Sequence, residues 1–436
     1  METYAADDVR TRLGAHLLVD GLPLVLDLKA SRGTTLIDQV SGEEYLDMFT
    51  FFASSALGMN HPALVDDPTF REELLEAALN KPSNSDVYSE PMARFVDTFA
   101  RVMGDDALPH YFFIEGGAAA VENALKVCFD WKSRHNEANG RSPELGTKVM
   151  HLEHAFHGRS GYTMSLTNTD PNKVARYPKF PDWPRIASPY VAEGRDQSAV
   201  EAEALAQAER AFAEHPHDIA CFIAETVQGE GGDHHFRSEF LRAMRDLCHA
   251  HDALFVLDEV QTGGGMSGKA WAYQHHAVQP DVVSFGKKLQ VCGIMAGGRV
   301  DEVPDNVFTV SSRINSTWGG NLTDMVRARR ILEVIESDQL MNNAALEGDH
   351  LLGRLTEISA RHAVASNPRG LGLMCAVTLE NTALRDRVLS AMMEEKIIML
   401  GCGERSVRLR PPLTVERAAI DRTCDALDRV LGSLAG

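Results

Sequence analysis

Runs of consecutive apolar residues alternate with helical patterns through the middle of the chain. Such runs are typical of strands covered on both faces, and apolar residues that recur every three or four positions indicate amphipathic helices. The predicted strands are His110–Ile114, Lys148–Leu152, Ile219–Ala224, Ala253–Leu257, Val282–Phe285 and Val307–Val310. The predicted helices include Ala118–Arg134, Ser238–His251 and Asp324–Glu336. This order predicts an α/β fold with a large, mostly parallel sheet flanked by helices.

Shorter elements are predicted towards both ends of the chain. The first 60 residues predict a small meander, and helical spacing follows in Pro62–Asn80 and Pro91–Met103. The meander strands are Leu24–Leu28, Thr35–Asp38 and Tyr45–Met48; the late strands are Gly372–Leu379, Ile397–Leu400 and Val407–Leu409, with a final helix from Val415. We expect an N-terminal segment 1–60 and a C-terminal segment 326–436 that build a smaller α/β lobe, and a large domain 61–325.

The composition is that of an acidic globular protein. Of 436 residues, 44% are hydrophobic and 24% charged, and the net charge of −19 argues against nucleic acid as a partner. The sequence has no apolar run of about 18 residues, and its first residues lack the basic and apolar regions of a signal peptide. Seven cysteines without CxxC spacing are typical of reduced thiols. We therefore expect a cytoplasmic protein that does not contact membranes.

Two predicted strands end in residues that packing does not require. Asp258 follows Ala253–Leu257, and Lys287 follows Val282–Phe285 after one glycine. Ligands of open α/β sheets bind beyond the carboxyl ends of the strands, so both side chains should reach one crevice. A buried acid and a lysine suit pyridoxal phosphate, because the lysine forms a Schiff base and the acid keeps the pyridine nitrogen protonated. A satisfied aspartate and a solvated lysine pair on a loop is the alternative that these residues alone leave open.

Glycine-rich stretches also follow predicted strands. Glu115–Ala120 opens a helix, where bare backbone amides can cradle a phosphate, although a simple strand-to-helix turn has the same pattern. Gly263–Gly268 formally matches GxGxxG, but Asp258–Thr262 separate it from the strand. A nicotinamide-dependent oxidoreductase is disfavoured for this reason.

Further polar residues cluster after the strands. Phe156 could stack on a flat cofactor, and Arg159 could bind a carboxylate. His151, His154 and His157 recur every third residue, but that spacing converges only on a helix, and this segment predicts a strand entering a turn. We therefore expect no metal site. Late in the chain, Arg408 and Arg410 are either salt-bridge partners or an anion site.

Together these stretches resemble the class III aminotransferases, pyridoxal-phosphate enzymes of fold type I. The matching stretches are Leu257–Gly263, the Gly286–Lys287 pair at the family's spacing after it, and Phe156–Arg159. Within the family the chain resembles the L-lysine 6-aminotransferases through Asp47–Phe51, Asn80–Asp86, Gly286–Gly293 and Asn315–Asn321. The resemblance covers nearly the whole chain. It implies a large domain that binds pyridoxal phosphate, and a homodimer with the active site at the subunit interface.

The resemblance also implies cofactor-binding roles. Lys287 would form the Schiff base and transfer protons. Asp258 would bind the pyridine nitrogen, Gln261 would bind the 3-hydroxyl, and Phe156 would stack on the ring. The phosphate would be bound by Gly117, Ala118 and, from the partner subunit, Thr317. Lys288 is the alternative candidate for the Schiff-base lysine. The family pattern has a small residue directly before that lysine, and Gly286 is such a residue before Lys287. The sequence departs from the family where the phosphate stretch lacks a serine, at Met266 in place of a common arginine, and at Thr226 in place of a common proline.

The resemblance implies L-lysine and 2-oxoglutarate as substrates, with L-glutamate and 2-aminoadipate 6-semialdehyde, which cyclises to piperideine-6-carboxylate, as products. Arg159 would bind the distant carboxylate of either substrate, and Arg410 the near carboxylate that only the oxo acid has. Glu230, on a glycine-rich turn expected to be mobile, would pair with Arg410 while lysine is bound. Ornithine, GABA or diaminobutyrate aminotransferases share the same core, and Phe52 is a candidate for setting pocket length.

Overall fold

The structure is a computed structural model that describes residues 4–434. Met1–Thr3 and Ala435–Gly436, where the predicted terminal segments begin and end, lie outside the described residues. The N-terminal elements are α1 (Asp8–Gly14), β1 (Thr35–Ile37), β2 (Glu44–Asp47), α2 (Thr50–Ala53), α3 (Pro62–Val65), α4 (Pro68–Leu79) and α5 (Glu90–Met103). The predicted meander keeps its second and third strands, which pair antiparallel as β1 and β2. Its first strand, Leu24–Leu28, is reduced to one bridge between Leu26 and Asp38.

A central sheet organises the middle of the chain. Its region contains β3 (His110–Ile114), β4 (Lys148–Leu152), β5 (Arg185–Ile186), β6 (Ile219–Glu225), β7 (Val227–Gln228), β8 (His234–His235), β9 (Leu254–Asp258), β10 (Val282–Phe285) and β11 (Cys292–Ala296). Within residues 4–434 seven of these strands form one sheet in the order β3-β11-β10-β9-β6-β4-β5, and β7 and β8 form a separate hairpin. In this sheet β11 runs in the direction opposite to the other six strands and pairs antiparallel with β10 and β3. The other six strands therefore end at a common edge.

Helices cover both faces of this sheet. They include α6 (Gly117–Ala138), α7 (Thr163–Leu166), α8 (Pro171–Val174), α9 (Gln197–Glu214) and α10 (Ser238–Ala250). Alternate residues of β9 enter two different cores: Val256 packs with residues of α6, whereas Phe255 and Leu257 pack with residues of α10. The strand is thus buried on both sides, as its unbroken apolar run predicts. The predicted α/β architecture is confirmed.

In the central sheet one predicted strand is wrong, and one real strand of more than two residues was missed. Val307–Val310 lies in turns, and its apolar side chains pack against the α6 side of the sheet without pairing. The missed strand, β11, contains Gly293, which weakens a strand pattern. A Cβ at Gly293 would lie 2.3 Å from the carbonyl oxygen of Phe112 on β3, so close strand pairing requires glycine there.

The C-terminal segment packs back on the N-terminal one. Its elements are α11 (Leu322–Ser337), α12 (Leu340–Arg361), β12 (Ala365–Leu371), β13 (Met374–Leu379), α13 (Thr382–Glu394), β14 (Ile397–Ile398), β15 (Leu400–Cys402), β16 (Ser406–Leu409) and α14 (Arg417–Leu434). β12, β13, β16 and β15 form an antiparallel sheet in that order, while β14 pairs in parallel with β2. Segments from both ends therefore share a sheet. The expected boundary between 325 and 326 falls inside α11, so the exact division into segments stays a prediction.

Two further features concern the helices and the cysteines. In the part of the chain from 4 to 434, no helix has the length and apolar character needed to cross a membrane. The seven cysteines all lie in that part, and each is a free thiol there.

Candidate active site

A cavity of about 720 Å³ opens at the carboxyl edge of the central sheet. Its lining includes eight of the predicted site residues: Gly117, Ala118, Phe156, Arg159, Glu230, Asp258, Gln261 and Lys287. Two other predicted residues, Thr317 and Arg410, do not line it. The strand order explains the convergence, because β10, β9, β6 and β4 are neighbours and each delivers the loop that follows it to one edge.

Asp258 is fixed at the end of β9 by three hydrogen bonds. Its Oδ1 accepts from the Val260 amide at 3.0 Å and from Ser284 Oγ at 3.1 Å. Its Oδ2 lies 2.8 Å from Nδ1 of His157, whose side chain is fully buried. No pattern in the sequence predicts this histidine contact, which joins the loops after β4 and β9. With all three contacts in place, the carboxylate of Asp258 has one orientation.

Glu225 is a second buried carboxyl group in the cavity lining. Its Oε1 accepts from the Phe156 amide at 3.0 Å, and its Oε2 accepts from the Gly229 amide at 3.1 Å. Burial, and then the negative charge of Asp258, raise the pKa of Glu225 well above its usual range. This carboxyl therefore links the loop after β4 to the turn that contains Gly229.

The two adjacent lysines point to different places. Lys287 has a φ of 44°, a conformation that costs energy for a non-glycine residue, and its side chain enters the cavity. Burial, and then the charge of Arg408, lower the pKa of Lys287. Lys288 is fully buried away from the cavity lining, with its Nζ donating to the Ala53 carbonyl at 3.0 Å. Of these two lysines, Lys287 is the one placed to react with a molecule in the cavity.

The first turn of α6 forms another wall of the cavity. Gly116 has a φ of 94°, and the helix begins at Gly117 without a side-chain cap, so backbone amides face the cavity. A Cβ at Gly117 would lie 2.9 Å from Val260 Cγ1, and one at Gly158 would lie 2.6 Å from the Cβ of Ala118. Glycine at both positions allows the loops after β9 and β4 to close on the helix start. Bare amides at a helix N-terminus form an anion cradle.

A left-handed turn forms the wall opposite the helix. The four residues of α2, Thr50–Ala53, have φ values between 43° and 67°, and none is glycine. Such residues cost about 1–2 kcal/mol each, so contacts elsewhere must hold the turn. Asp47 Oδ1 accepts from the Thr50 amide at 2.7 Å, and Lys288 holds the Ala53 carbonyl. The turn places Phe52, 52% exposed, in the cavity lining.

The expected ion pair between Glu230 and Arg410 is wrong. Glu230 Oε2 lies 2.7 Å from Nη2 of Arg408, whereas Arg410 is fully buried and pairs with Asp233. Arg408 and Arg410 are two positions apart and share one face of the chain around β16, where both contact Gln261 Oε1 within 3.5 Å. Spacing alone could not separate them. Arg408 is the arginine next to the cavity, and Glu230 covers it.

The glycine-rich turn that carries Glu230 is fastened to the C-terminal lobe. The Gly403 amide donates to the Glu230 carbonyl at 2.9 Å, and Arg369 Nη2 donates to the Gly232 carbonyl at 2.5 Å. The Arg410–Asp233 pair anchors the far end of the same turn. These contacts hold the backbone of the turn, and the Glu230 side chain can rotate without breaking them; the mobility of the turn stays a prediction.

Besides Lys287 and Arg327, the cavity lining contains two more cations, Arg159 and Lys173. Arg159 is exposed there, and among residues 4–434 no carboxylate lies within ion-pair distance of it. Lys173, on α8, lies 2.5 Å from Glu230 Oε1 and 5.8 Å from the centre of the Phe156 ring. Sequence reasoning missed Lys173, because 57 residues separate it from Glu230 and its own surroundings are loops.

The three evenly spaced histidines do not converge. His151 is buried, and burial lowers its pKa to about 3. His157 contacts Asp258, while His154 packs edge-on against His234 at 5.3 Å between ring centres. Within residues 4–434 no group of three or more His, Cys, Asp or Glu side chains is placed to hold a metal ion.

The comparison with known proteins agrees with this geometry. The model of the family "Aminotransferase class-III" matches residues 19–431. The chain belongs to the class III aminotransferases. The L-lysine-epsilon aminotransferase of Mycobacterium tuberculosis is 63% identical over 429 residues, 98% of this chain and 95% of that protein. The enzyme of that name from Amycolatopsis lactamdurans is 56% identical over 435 residues, 98% of this chain and 96% of that protein.

A solved structure is similar throughout its length. The structure of lysine aminotransferase from M. tuberculosis in the internal aldimine form superposes with a TM-score of 0.98 at 61% identity, covering 99% of this chain and 100% of that one. The chain described here, as a class III aminotransferase, is a transaminase, and its cofactor is pyridoxal phosphate. The fold type I architecture is confirmed.

The predicted phosphate contact of Thr317 concerns a second subunit. In the structure Thr317 is exposed on a loop outside the cavity of its own chain. The neighbouring Trp318 is 43% exposed and lies over Lys81, with the Lys81 Nζ 3.7 Å from its ring centre. This position leaves Thr317 available to another copy of the chain, and its role stays a prediction.

Proposed function

We propose that this aminotransferase moves the ε-amino group of L-lysine to 2-oxoglutarate. The products are L-glutamate and 2-aminoadipate 6-semialdehyde, which cyclises to piperideine-6-carboxylate. The single observation that carries the proposal is the ion pair between Glu230, which lines the cavity, and Arg408 behind it, 2.7 Å between Oε2 and Nη2. The names of relatives 63% and 56% identical support the donor. Nothing in the cavity favours ornithine, GABA or diaminobutyrate over lysine.

The residues present fit pyridoxal phosphate. Asp258, held by His157 and Ser284, would pair with the pyridine nitrogen, and Gln261 would face the 3-hydroxyl. Phe156 would stack on the ring, and Gly117 and Ala118 would offer their amides to the phosphate, where a Cβ at Gly117 would collide with Val260. When bound, the cofactor supplies an electron sink for negative charge at the substrate carbon.

Lys287 is the proton carrier of the proposed reaction. Its Nζ would hold the cofactor before the substrate arrives. Once released, it would take a proton from the substrate carbon and pass it to the cofactor carbon. The lowered pKa matters here, because a larger share of the free amine is neutral at a given pH. Burial is the main cause, so access of water to the cavity would weaken the effect.

Three charged side chains would distinguish the two substrates. Lysine that presents its ε-amine has one carboxylate, far from the reacting atom, and Arg159 is free to bind it. 2-Oxoglutarate has a second carboxylate next to its keto group, and Arg408 is the group placed to bind that one. While lysine is bound, Glu230 neutralises Arg408, which would otherwise be a buried charge costing several kcal/mol.

A homodimer completes the proposed site. Thr317 of the partner subunit would bind the phosphate. The loop next to Thr317 packs on residues 80–88, where Ser85 Oγ donates to the Ser316 carbonyl at 2.6 Å. Large apolar side chains are exposed around it, including Leu79 at 72%, Val87 at 64% and Tyr88 at 79%. Burial of such a surface favours association. A cytoplasmic location is proposed as well, supported by the free cysteines.

The proposal is tested by a donor screen. Purified holoenzyme is given 2-oxoglutarate with lysine, ornithine, GABA or diaminobutyrate, and glutamate and the cyclised product are followed by mass spectrometry. Lysine should have the highest kcat/KM of the four. A tenfold or greater preference for another donor would overturn the choice of lysine. Lysine that carries heavy nitrogen at its ε-position but gives unlabelled glutamate would overturn the ε-amine as the group transferred.

A further inference from the structure

The carboxylate of Glu230 lies between two cations, and the reaction proposed above accounts for only one. Its Oε2 is paired with Arg408 at 2.7 Å, and its Oε1 with Lys173 at 2.5 Å. The side chain of Arg408 is 3% exposed, whereas that of Lys173 is 29% exposed and lines the cavity. Each oxygen of the carboxylate therefore has its own cation, one deep and one near the opening.

The backbone around Glu230 limits how this arrangement can change. Its carbonyl is bound by the Gly403 amide at 2.9 Å, and Arg369 holds the Gly232 carbonyl. When the near carboxylate of an oxo acid reaches Arg408, the Glu230 carboxylate must leave by side-chain rotation. A half-buried carboxylate needs a counter-charge in its new position. Lys173 already contacts the oxygen that does not face Arg408.

The electrostatics of the pair are consistent with both cations acting. Burial alone would raise the pKa of Glu230, but the charge of Arg408 and the hydrogen bond and charge of Lys173 outweigh it and lower the pKa. Glu230 thus stays ionised, and an ionised carboxylate displaced from one cation moves to the other. Lys173 itself lies on α8, held at its start by Asp170, which accepts from the Asn172 amide at 2.9 Å.

We propose that Lys173 is the second binding position of Glu230, which holds the displaced carboxylate while Arg408 binds the near carboxylate of a dicarboxylic substrate. Lys173 is a positioning residue, since it acts on the substrate through Glu230. This inference rests on the proposed function only in assigning Arg408 to a carboxylate. Without Lys173, Glu230 would remain on Arg408 and compete with the dicarboxylate, whereas a monocarboxylate bound at Arg159 would be unaffected.

The test compares two ligands of equal length that do not react. Glutarate has two carboxylates and valerate has one, and calorimetry measures the binding of each to the holoenzyme. Lys173→Met should weaken glutarate binding about fivefold, the worth of a partly exposed ion pair, and leave valerate binding within about twofold. Lys173→Arg, which keeps the charge, should restore glutarate binding. Lys179→Met is the matched control, because Lys179 is exposed six residues further on and makes no ion pair with any residue from 4 to 434.

A double variant separates this role from a structural one. In a Glu230→Gln background, Lys173→Met should no longer change glutarate binding. In the enzyme with Glu230 intact, Lys173→Met should lower the single-turnover rate with glutamate but not with lysine. Equal weakening of glutarate and valerate would overturn the proposal, because Lys173 would then bind the substrate itself or support the fold. Unchanged glutarate binding would overturn it too. An enzyme that shows the predicted glutarate pattern but does not use lysine would refute the proposed donor and uphold the role of Lys173.

Discussion

Glu230 covers Arg408, with Oε2 of the carboxylate 2.7 Å from Nη2 of the guanidinium. The arginine is only 2% exposed as a result, and its Nε has no hydrogen-bond partner within residues 4–434. A ligand can therefore reach Arg408 only after the Glu230 side chain has rotated. In one position of Glu230, Arg159 is offered to a substrate carboxylate and Arg408 is covered, and in the other position both arginines are offered.

Glu230→Gln should impair the lysine half-reaction more than the glutamate half-reaction. With lysine bound, the amide would leave Arg408 as a buried charge without a counter-ion, whereas glutamate brings its own carboxylate. We expect kcat/KM to fall by about tenfold or more for lysine and by less than about threefold for glutamate, in single-turnover kinetics. Equal losses in the two half-reactions would contradict the covering role of Glu230.

Arg408→Met and Arg410→Met should fail in different ways. The first variant removes the cation for the near carboxylate, and we expect its glutamate kcat/KM to fall about a hundredfold with little change in stability. The second leaves Asp233 buried and unpaired, and should cost about 3–5 kcal/mol of unfolding free energy in urea titration. The opposite pattern, a stable but glutamate-deficient Arg410→Met, would restore the assignment made from the sequence.

Asp258→Asn should retain the fold and lose most of the activity. The amide oxygen can still accept from Val260 and Ser284, but the negative charge that would favour a protonated pyridine nitrogen is gone. We expect kcat to fall by about a hundredfold or more. His157→Phe removes only the contact that orients the carboxylate, so its loss should be smaller, about tenfold. If the histidine variant lost more activity than the asparagine variant, the charge of Asp258 would not be the main contribution.

Lys288 should make stability depend on pH above neutrality. Burial, followed by the charges of Arg410 and Lys287, lowers its pKa from 10.5 to about 7. The unfolded chain therefore binds more protons than the folded one between these values, and the cost of burying a charged Lys288 is largest below pH 7 and fades as the pH rises. Relative to Lys288→Met, the unfolding free energy of the wild type should increase with pH, by at most about 1.4 kcal/mol per unit. Urea titrations of both proteins across this window test it, and parallel pH profiles would show that Lys288 stays charged.

Gly158→Ala should loosen the wall of the cavity at the start of α6. The added methyl carbon would lie 2.6 Å from the Cβ of Ala118 at a φ of 121°, so the loop after β4 would have to withdraw from the start of α6. We expect a stability loss of about 1–3 kcal/mol and weaker retention of the cofactor on dialysis. Gly140→Ala is a control for the backbone effect alone, because Gly140 also has a positive φ, 69°, and nothing lies within 4 Å of its Cβ position.

The sequence located Asp258 and Lys287 because both lie at the ends of buried strands. Parallel neighbouring strands end at the same edge of a sheet, so the two side chains meet there. It did not distinguish Arg408 from Arg410, since two residues two positions apart on the same face share every local signal. The contacts of His157 and Lys173 could not be predicted from the sequence either, because each depends on how separate loops pack. The strand β11 was missed for a local reason, the glycine that lets it approach β3.

The left-handed turn Thr50–Ala53 has a practical consequence. Glycine adopts this backbone at no steric cost, yet none of the four positions uses it. Replacement of Phe52 by glycine would relieve backbone strain and also remove an aromatic side chain from the cavity lining. Engineering for a broader range of amine donors ordinarily lowers thermal resistance, but at this position wider acceptance and a higher melting temperature should come from the same change.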